Sequence, residues 1–220
     1  MKDNNYFETI DTEHKAYHLG FLFADGNVSK LDGKRKMYRI KIFIHTKDIE
    51  YIKAYKKDLN LPNNYYFSKI QEAVEFSHKN KKLHSDLIKH GCVPKKSLIL
   101  KPPTQLPKKM VPHFIRGFFD GDGCICVYKE ASRKHLKCAV EFIGTKEMME
   151  WVAQHLSITN KLQHRPGDKN TYTVKARSAQ AIFDIHNYLY KDSTIYLSRK
   201  KKTFQRAIQV SGRRLNRIAA

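Results

Sequence analysis

Acidic residues are scarce in this sequence. It carries 21 Asp and Glu against 42 Lys and Arg, a formal charge of +21 over 220 residues. Such an excess points to a polyanionic partner, most simply nucleic acid. An anionic membrane surface is the alternative, but no long amphipathic basic helix stands out. Long apolar runs are missing as well. None approaches the roughly 18 residues of a membrane span, and the opening M-K-D-N-N-Y-F-E has no signal-peptide pattern. A cytoplasmic or organellar-matrix location is expected. Cysteine is limited to Cys92, Cys124, Cys126 and Cys138, with no C-x-x-C pair. That argues against a zinc ribbon. The four are expected to be reduced packing residues, with Cys124 and Cys126 on one strand face. The 11 histidines are assigned no catalytic or metal-binding role.

Glycine is sparse too, with 10 residues, and its placement organises the chain. Residues 16–26 read A-Y-H-L-G-F-L-F-A-D-G, and residues 113–123 read H-F-I-R-G-F-F-D-G-D-G. Each is an apolar helix pattern with small residues four apart: Gly20 and Ala24, then Gly117 and Gly121. Residues at that spacing share a helix face. Two such faces let helix backbones approach more closely than usual. Packing one copy on the other brings Asp25 and Asp122, 97 positions apart, side by side at the helix ends. Gly26 and Gly123 suit helix C-termini, where a left-handed residue is easiest for glycine. Two carboxylates at the negative ends of helix dipoles repel, and a divalent cation with a taste for hard oxygen, such as Mg²⁺, would relieve that.

The rest of the chain repeats around these stretches. T-K-D-I-E-Y-I-K-A-Y-K-K at 46–57 is echoed by T-K-E-M-M-E-W-V-A-Q-H-L at 145–156, an offset of 99. The match indicates an internal duplication. The first helix should start near Asp11 or Thr12 and run to Gly26. A hairpin over 27–45 turns at Asp32-Gly33. Its return strand alternates, with Tyr38, Ile40, Ile42 and Ile44 on one face and Arg39, Lys41, Phe43 and His45 on the other. A helix over 46–59, a hairpin with strands near 65–70 and 73–78, and a helix near 80–90 follow. Five of the seven prolines fall in 92–112, which reads as a linker. The second half repeats the order: a helix over about 108–122, a hairpin with a basic loop at 129–135, a helix over 145–156, strands near 160–165 and 171–176, and a helix over 178–190. A basic C-terminal segment closes the chain. The predicted class is α+β, with two αββαββα halves at 1–92 and 108–220 joined by a proline-rich linker at 93–107.

Both organising stretches resemble the signature motif of the LAGLIDADG homing endonucleases. His18 to Gly26 aligns as one copy and Ile115 to Gly123 as the other. Both keep the glycine, the last acid and the closing glycine. The second also keeps the earlier acid as Asp120, where the first has Phe23. Leu19 and Arg116 replace the motif's first alanine. The resemblance covers nearly the whole chain, because a two-motif member is about this long. It implies signature helices packed at the centre on a pseudo-two-fold axis and two four-stranded antiparallel sheets facing double-stranded DNA.

The resemblance further implies a monomeric, divalent-metal-dependent endodeoxyribonuclease. It would cut across the minor groove and leave short 3′ overhangs at a long asymmetric target. Asp25 and Asp122 would ligate Mg²⁺, with Mn²⁺ as a substitute, and the carbonyls of Ala24 and Gly121 would assist. P-K-K-S at 94–97 and L-S-R-K at 197–200 follow corresponding helices, so Lys96 and Lys200 are the candidate assisting bases, with Arg199 in reserve. Candidate DNA contacts on strands and hairpins are Lys30, Lys34, Arg35, Arg39, Lys41, Lys69, Arg133, Lys137, Lys161, Gln163, Arg165, Lys175 and Arg177. Glu75 and Glu141 either interrupt that surface or accept from cytosine amino groups. The absence of splicing sequences suggests an intron-encoded or free-standing enzyme. Two alternatives stand beside the nuclease: an inactive relative acting as an RNA splicing maturase or DNA-binding regulator, and a general basic RNA-binding protein. The last does not explain why Asp25 and Asp122 recur in register.

Overall fold

The computed structural model describes residues 3–31, 37–62, 64–129 and 136–218, with backbone alone beyond Gly212. At its centre lie α1 (Glu13–Asp25) and α4 (Val111–Asp122). Thr12 caps α1, its side chain accepting from the Lys15 amide at 3.4 Å. A single 3₁₀ turn, Lys108–Met110, leads into α4. Pro112 then sits in its first turn, where no N–H is needed.

These two helices touch backbone to backbone. A Cβ built on Gly20 would overlap the Phe114 carbonyl and lie 2.9 Å from the Phe118 nitrogen. One built on Gly117 would overlap the Tyr17 carbonyl and lie 2.9 Å from the Phe21 nitrogen. The contacts are reciprocal: Gly20 on the turn from Phe114, Gly117 on the turn from Tyr17. That is the signature of a pseudo-two-fold axis. Gly121 completes the notch against the Ala24 methyl.

Each half adds a sheet and flanking helices. The first holds β1 (Gly26–Val28), β2 (Arg39–His45), β3 (Tyr66–Ser68) and β4 (Ala73–Lys79) in the order β1-β2-β4-β3. The second holds β5 (Cys124–Lys129), β6 (Leu136–Gly144), β7 (Gln163–His164) and β8 (Tyr172–Ala176) in the order β5-β6-β8-β7. All pairings are antiparallel. Helices α2 (Ile49–Asp58) and α3 (Lys81–Lys89) belong to the first half. Helices α5 (Lys146–His155), α6 (Ala179–Tyr190) and α7 (Ser198–Ile218) belong to the second. Burial alternates along β2 as its sequence dictates: Ile40, Ile42 and Ile44 are inside, Arg39, Phe43 and His45 outside. One continuous apolar cluster runs through both halves by way of α1 and α4.

Several expectations need correcting. Gly26 and Gly123 are not left-handed; their φ values are −79° and −75°. Glycine is required there by space, since a Cβ would strike the Leu22 carbonyl or the Phe119 ring. Cys124 is exposed and Cys126 half-buried on the outer face of the second sheet, so neither is a core residue. All four cysteines are free, and only Cys92 and Cys138 are buried. The basic C-terminal segment is a helix of 21 residues, and an amphipathic one, seated through Phe204 and Ala207. The stretch after α3 is irregular but clamped in place. Thr145 Oγ1 donates to the Leu100 carbonyl at 2.5 Å, and Asn170 Nδ2 to that of Leu98 at 2.9 Å. Among the described residues no helix is long and apolar enough to cross a membrane.

The notch makes a sharp prediction. Gly20→Ala should cost about 3 kcal/mol in urea unfolding, the upper end of the usual overpacking penalty, because backbone cannot move aside as a side chain can. Gly212→Ala, on α7 with nothing within 4 Å of its Cβ, should instead gain up to about 1 kcal/mol. A Gly20→Ala protein of undiminished stability contradicts the packing described.

Candidate active site and nucleic-acid face

The helix notch decides where the two signature carboxylates sit. Asp25 is the last residue of α1 and Asp122 the last of α4. The close approach carries to the helix ends: a Cβ on Gly121 would lie 3.5 Å from Asp25 Oδ2. Burial pushes the Asp25 carboxyl up to about 6, with the neighbouring Asp122 charge adding to it and Lys200 and Lys96 opposing. Asp122 is also raised by desolvation, against Lys96 and Lys200. It meets solvent, but from a recess of about 260 Å³ also lined by Ala24, Lys96, Phe118 and Thr145, where protein crowds it. Lys200 is the stronger of the two lysines at Asp25 and Lys96 at Asp122. Each carboxylate therefore feels most the lysine of the other half.

Both lysines cap the helix ends. Lys96 Nζ donates to the carbonyls of Ala24 and Gly26 at 2.7 and 2.6 Å. Lys200 Nζ donates to those of Phe119, Gly121 and Gly123 at 2.6, 3.2 and 2.7 Å. An ammonium has three donors, so Lys200 is fully satisfied although 4% exposed. Cations are favoured at helix C-termini, yet burial still lowers its pKa to about 8. The lysines thus hold the Ala24 and Gly121 carbonyls, each of which keeps a second lone pair. Lys96 follows Lys95, which is left-handed at φ 53°. That costs on the order of 1 kcal/mol for a non-glycine residue and aims the next side chain inward. Arg199 does not share this role. Its guanidinium is bidentate on the buried Asp48 carboxylate at 2.6 Å for both contacts.

The motif positions that differ between the copies are structural. Asp120 is buried and accepts from the Tyr17 and Tyr190 hydroxyls at 2.8 Å each and from the Leu197 amide at 2.7 Å. Phe23 packs edge-on against Phe114 at 5.0 Å. Arg116 is fully buried and pairs with Glu13 at 2.6 Å.

Five of the thirteen sequence-nominated DNA contacts lie on strands of the two sheets, five on the loops and turns beside them. Arg39 and Lys41 lie on β2, Lys137 on β6, Gln163 on β7 and Lys175 on β8. Lys30, Lys69, Lys161, Arg165 and Arg177 are exposed on flanking loops and turns, with Arg165 near Asp168 at 3.6 Å. Lys34, Arg35 and Arg133 lie outside the described residues. The sequence reading missed Lys79, opposite Arg39 in the ladder. The two acids are each paired across strands: Lys41 to Glu75 at 2.6 Å and Glu141 to Lys175 at 3.1 Å. In the first sheet the lysine is on β2 and the acid on β4; in the second the acid is on β6, the counterpart of β2, and the lysine on β8.

His14 and His18 were also missed. They read H-K-A-Y-H, an H-x-x-x-H pattern in plain view on α1, and both hydrogen-bond Asp58.

The raised Asp25 carboxyl fixes a pH dependence. An unfolded aspartate ionises near 3.9, so between about pH 4 and pH 6 the unfolded chain has released a proton that the folded one still holds. Stability falls across that window, and the full penalty stands above it. In metal-free protein, Asp25→Asn should raise the melting temperature by several degrees at pH 7.5, about 2 kcal/mol. The gain should vanish near pH 4. Equal gains at both pH values contradict the assignment.

No family profile and no curated protein matches the sequence. Solved structures do resemble the fold. The LAGLIDADG homing endonuclease I-GzeII, in complex with its DNA target, aligns at TM-score 0.68 and 13% identity, covering 92% of this chain and 91% of that one. The LAGLIDADG meganuclease I-AabMI, bound to uncleaved DNA, aligns at 0.65 and 16%, covering 91% of each. I-LtrWI, bound to target DNA, aligns at 0.59 and 13%, covering 95% of this chain and 97% of that one. The architecture is therefore that of the two-motif LAGLIDADG homing endonucleases.

Proposed function

We propose that this chain is a site-specific DNA endonuclease of the LAGLIDADG homing type. It acts as a monomer, since one chain supplies both halves, and cuts both strands across the minor groove at a long asymmetric target, leaving short 3′ overhangs. The observation that carries this reading is the pairing of Asp25 and Asp122 at the ends of two notch-packed helices, between two sheets with basic outer faces. The DNA-bound state of the structures that share the fold supports the same partner.

The donor set fits a hard divalent cation. Two carboxylates whose ionisation is opposed by burial, and for Asp25 also by the Asp122 charge, gain most from a positive charge between them. Asp25 and Asp122 would hold Mg²⁺, or Mn²⁺ in its place, with the second lone pairs of the Ala24 and Gly121 carbonyls in reach. Bound there, such an ion supplies an activated water and charge stabilisation at phosphorus. The chain's own residues do the rest. Lys96 and Lys200 place positive charge beside each carboxylate from the opposite half, where a phosphate would lie. Lys200, its three donors held by backbone carbonyls, acts through its charge. Lysines and arginines of the outer faces hold the duplex by its phosphates, and strand side chains read base edges. The opposite placement of acid and lysine in the two Lys–Glu pairs presents different faces to the two half-sites, which favours an asymmetric target. Retention of both carboxylates speaks against an inactive splicing or regulatory relative.

Substitution separates cutting from binding. Asp25→Asn and Asp122→Asn should each abolish double-strand cleavage under Mg²⁺, by at least ~100-fold, while DNA retention on a gel stays within a few-fold of wild type. Unchanged cutting by both variants refutes the metal assignment.

A further inference from the structure

We propose that His14, His18 and Asp58 form a binding site for a Zn²⁺-type transition metal, distinct from the paired carboxylates. His14 and His18 stand one turn apart on α1, so both rings project from one face. Asp58 ends α2 and meets them with one oxygen. Asp58 Oδ2 is 2.6 Å from His14 Nδ1 and 2.8 Å from His18 Nε2, and all three atoms lie within 4.8 Å of one another. Two imidazole nitrogens and a carboxylate oxygen are a donor set for Zn²⁺ and its neighbours rather than for Mg²⁺.

The surroundings supply what a ligating histidine needs. His14 Nε2 is 3.2 Å from Thr194 Oγ1, and that hydroxyl donates its proton to Glu13 Oε2 at 2.8 Å. With its proton so spent, Thr194 can only accept. His14 Nε2 is therefore the protonated nitrogen, and Nδ1 is the one turned to the site. Such an outer hydrogen bond fixes the tautomer and orientation of metal-bound histidines. His18 is wholly buried among Tyr6, Tyr17, Tyr51 and Tyr55, so its ring is held in place. Its Nδ1 has no hydrogen-bond partner among the described residues, leaving Nε2 as its anchored end. Desolvation also keeps that ring neutral, against the pull of Asp58. In the metal-free protein a proton lies in each of the two N···O contacts; a cation bound by His14 Nδ1 and His18 Nε2 displaces both, one to solvent and the other to His18 Nδ1.

The site is open on one side. The His14 side chain is 41% exposed and that of Asp58 17%, which leaves a fourth position for water. It also stands well away from the carboxylate pair. His14 and Asp25 are 11 residues apart on one helix, about 16 Å at 1.5 Å per residue. A metal here would tie α1 to α2, and through Thr194 to the second half.

The test uses the full chain, stripped with chelator and titrated with Zn²⁺ alone in excess Mg²⁺. One equivalent should bind with proton release, and Co²⁺ in its place should give a visible absorption band. Binding should persist in an Asp25→Asn, Asp122→Asn double variant. It should fall by at least ~100-fold in His14→Ala, whose Mg²⁺-dependent DNA cleavage stays at the wild-type level. His14→Gln, which better fills the exposed position, should lose binding equally. Absence of Zn²⁺ binding, binding indifferent to His14, or binding lost only in the carboxylate variant overturns the proposal. None of these results bears on the nuclease reading, which rests on different residues.

Discussion

Everything in this molecule depends on the backbone contact between α1 and α4. Helices normally pack 8–10 Å apart, held off by side chains. Here Gly20 lies against the Phe114 turn and Gly117 against the Tyr17 turn, with Gly121 against Ala24. The contact joins the two halves into one core. It also sets the spacing of the helix ends, and so of the two carboxylates. A looser crossing would leave two ordinary helix-terminal aspartates.

That arrangement stores unfavourable electrostatics. Asp25 and Asp122 lie at negative helix ends and are partly cut off from water. The chain offsets this with Lys96 and Lys200, which cap the same ends through backbone carbonyls. The lysines do not cancel burial, the larger cause, and the Asp122 charge, which together leave the Asp25 carboxyl raised. A site with residual negative character at neutral pH is what a divalent cation needs. The surrounding ion pairs are equally deliberate in placement. Arg116 to Glu13 and Arg199 to Asp48 cross between the halves.

Much of this could be read in the sequence, for stated reasons. Small residues four apart, repeated with a terminal Asp-Gly, identify the notch and the carboxylates together. The alternation of Ile40, Ile42 and Ile44 with Arg39, Lys41, Phe43 and His45 gives the sheet its two faces. Other features depend on register, which the sequence does not state. Lys41 finds Glu75, and Glu141 finds Lys175, only once β2 pairs with β4 and β6 with β8. The last helix was obscured because its basic surface outweighs the few apolar residues, Phe204 and Ala207 among them, that seat it. Gly26 and Gly123 were rightly placed at helix ends, but for a conformational reason when the real one is steric. The histidine pair needed Asp58, distant in sequence, to give it meaning.

The central claim is that one chain carries two carboxylate sites cutting opposite strands of one duplex. The most direct measurement is cleavage of a randomised double-stranded DNA library by the purified protein with Mg²⁺, followed by sequencing of the cut ends. The account predicts one long, non-palindromic motif and a short fixed 3′ stagger. Selective binding of a single sequence with no cutting under either Mg²⁺ or Mn²⁺ would contradict it, leaving a protein that has kept the fold without the chemistry.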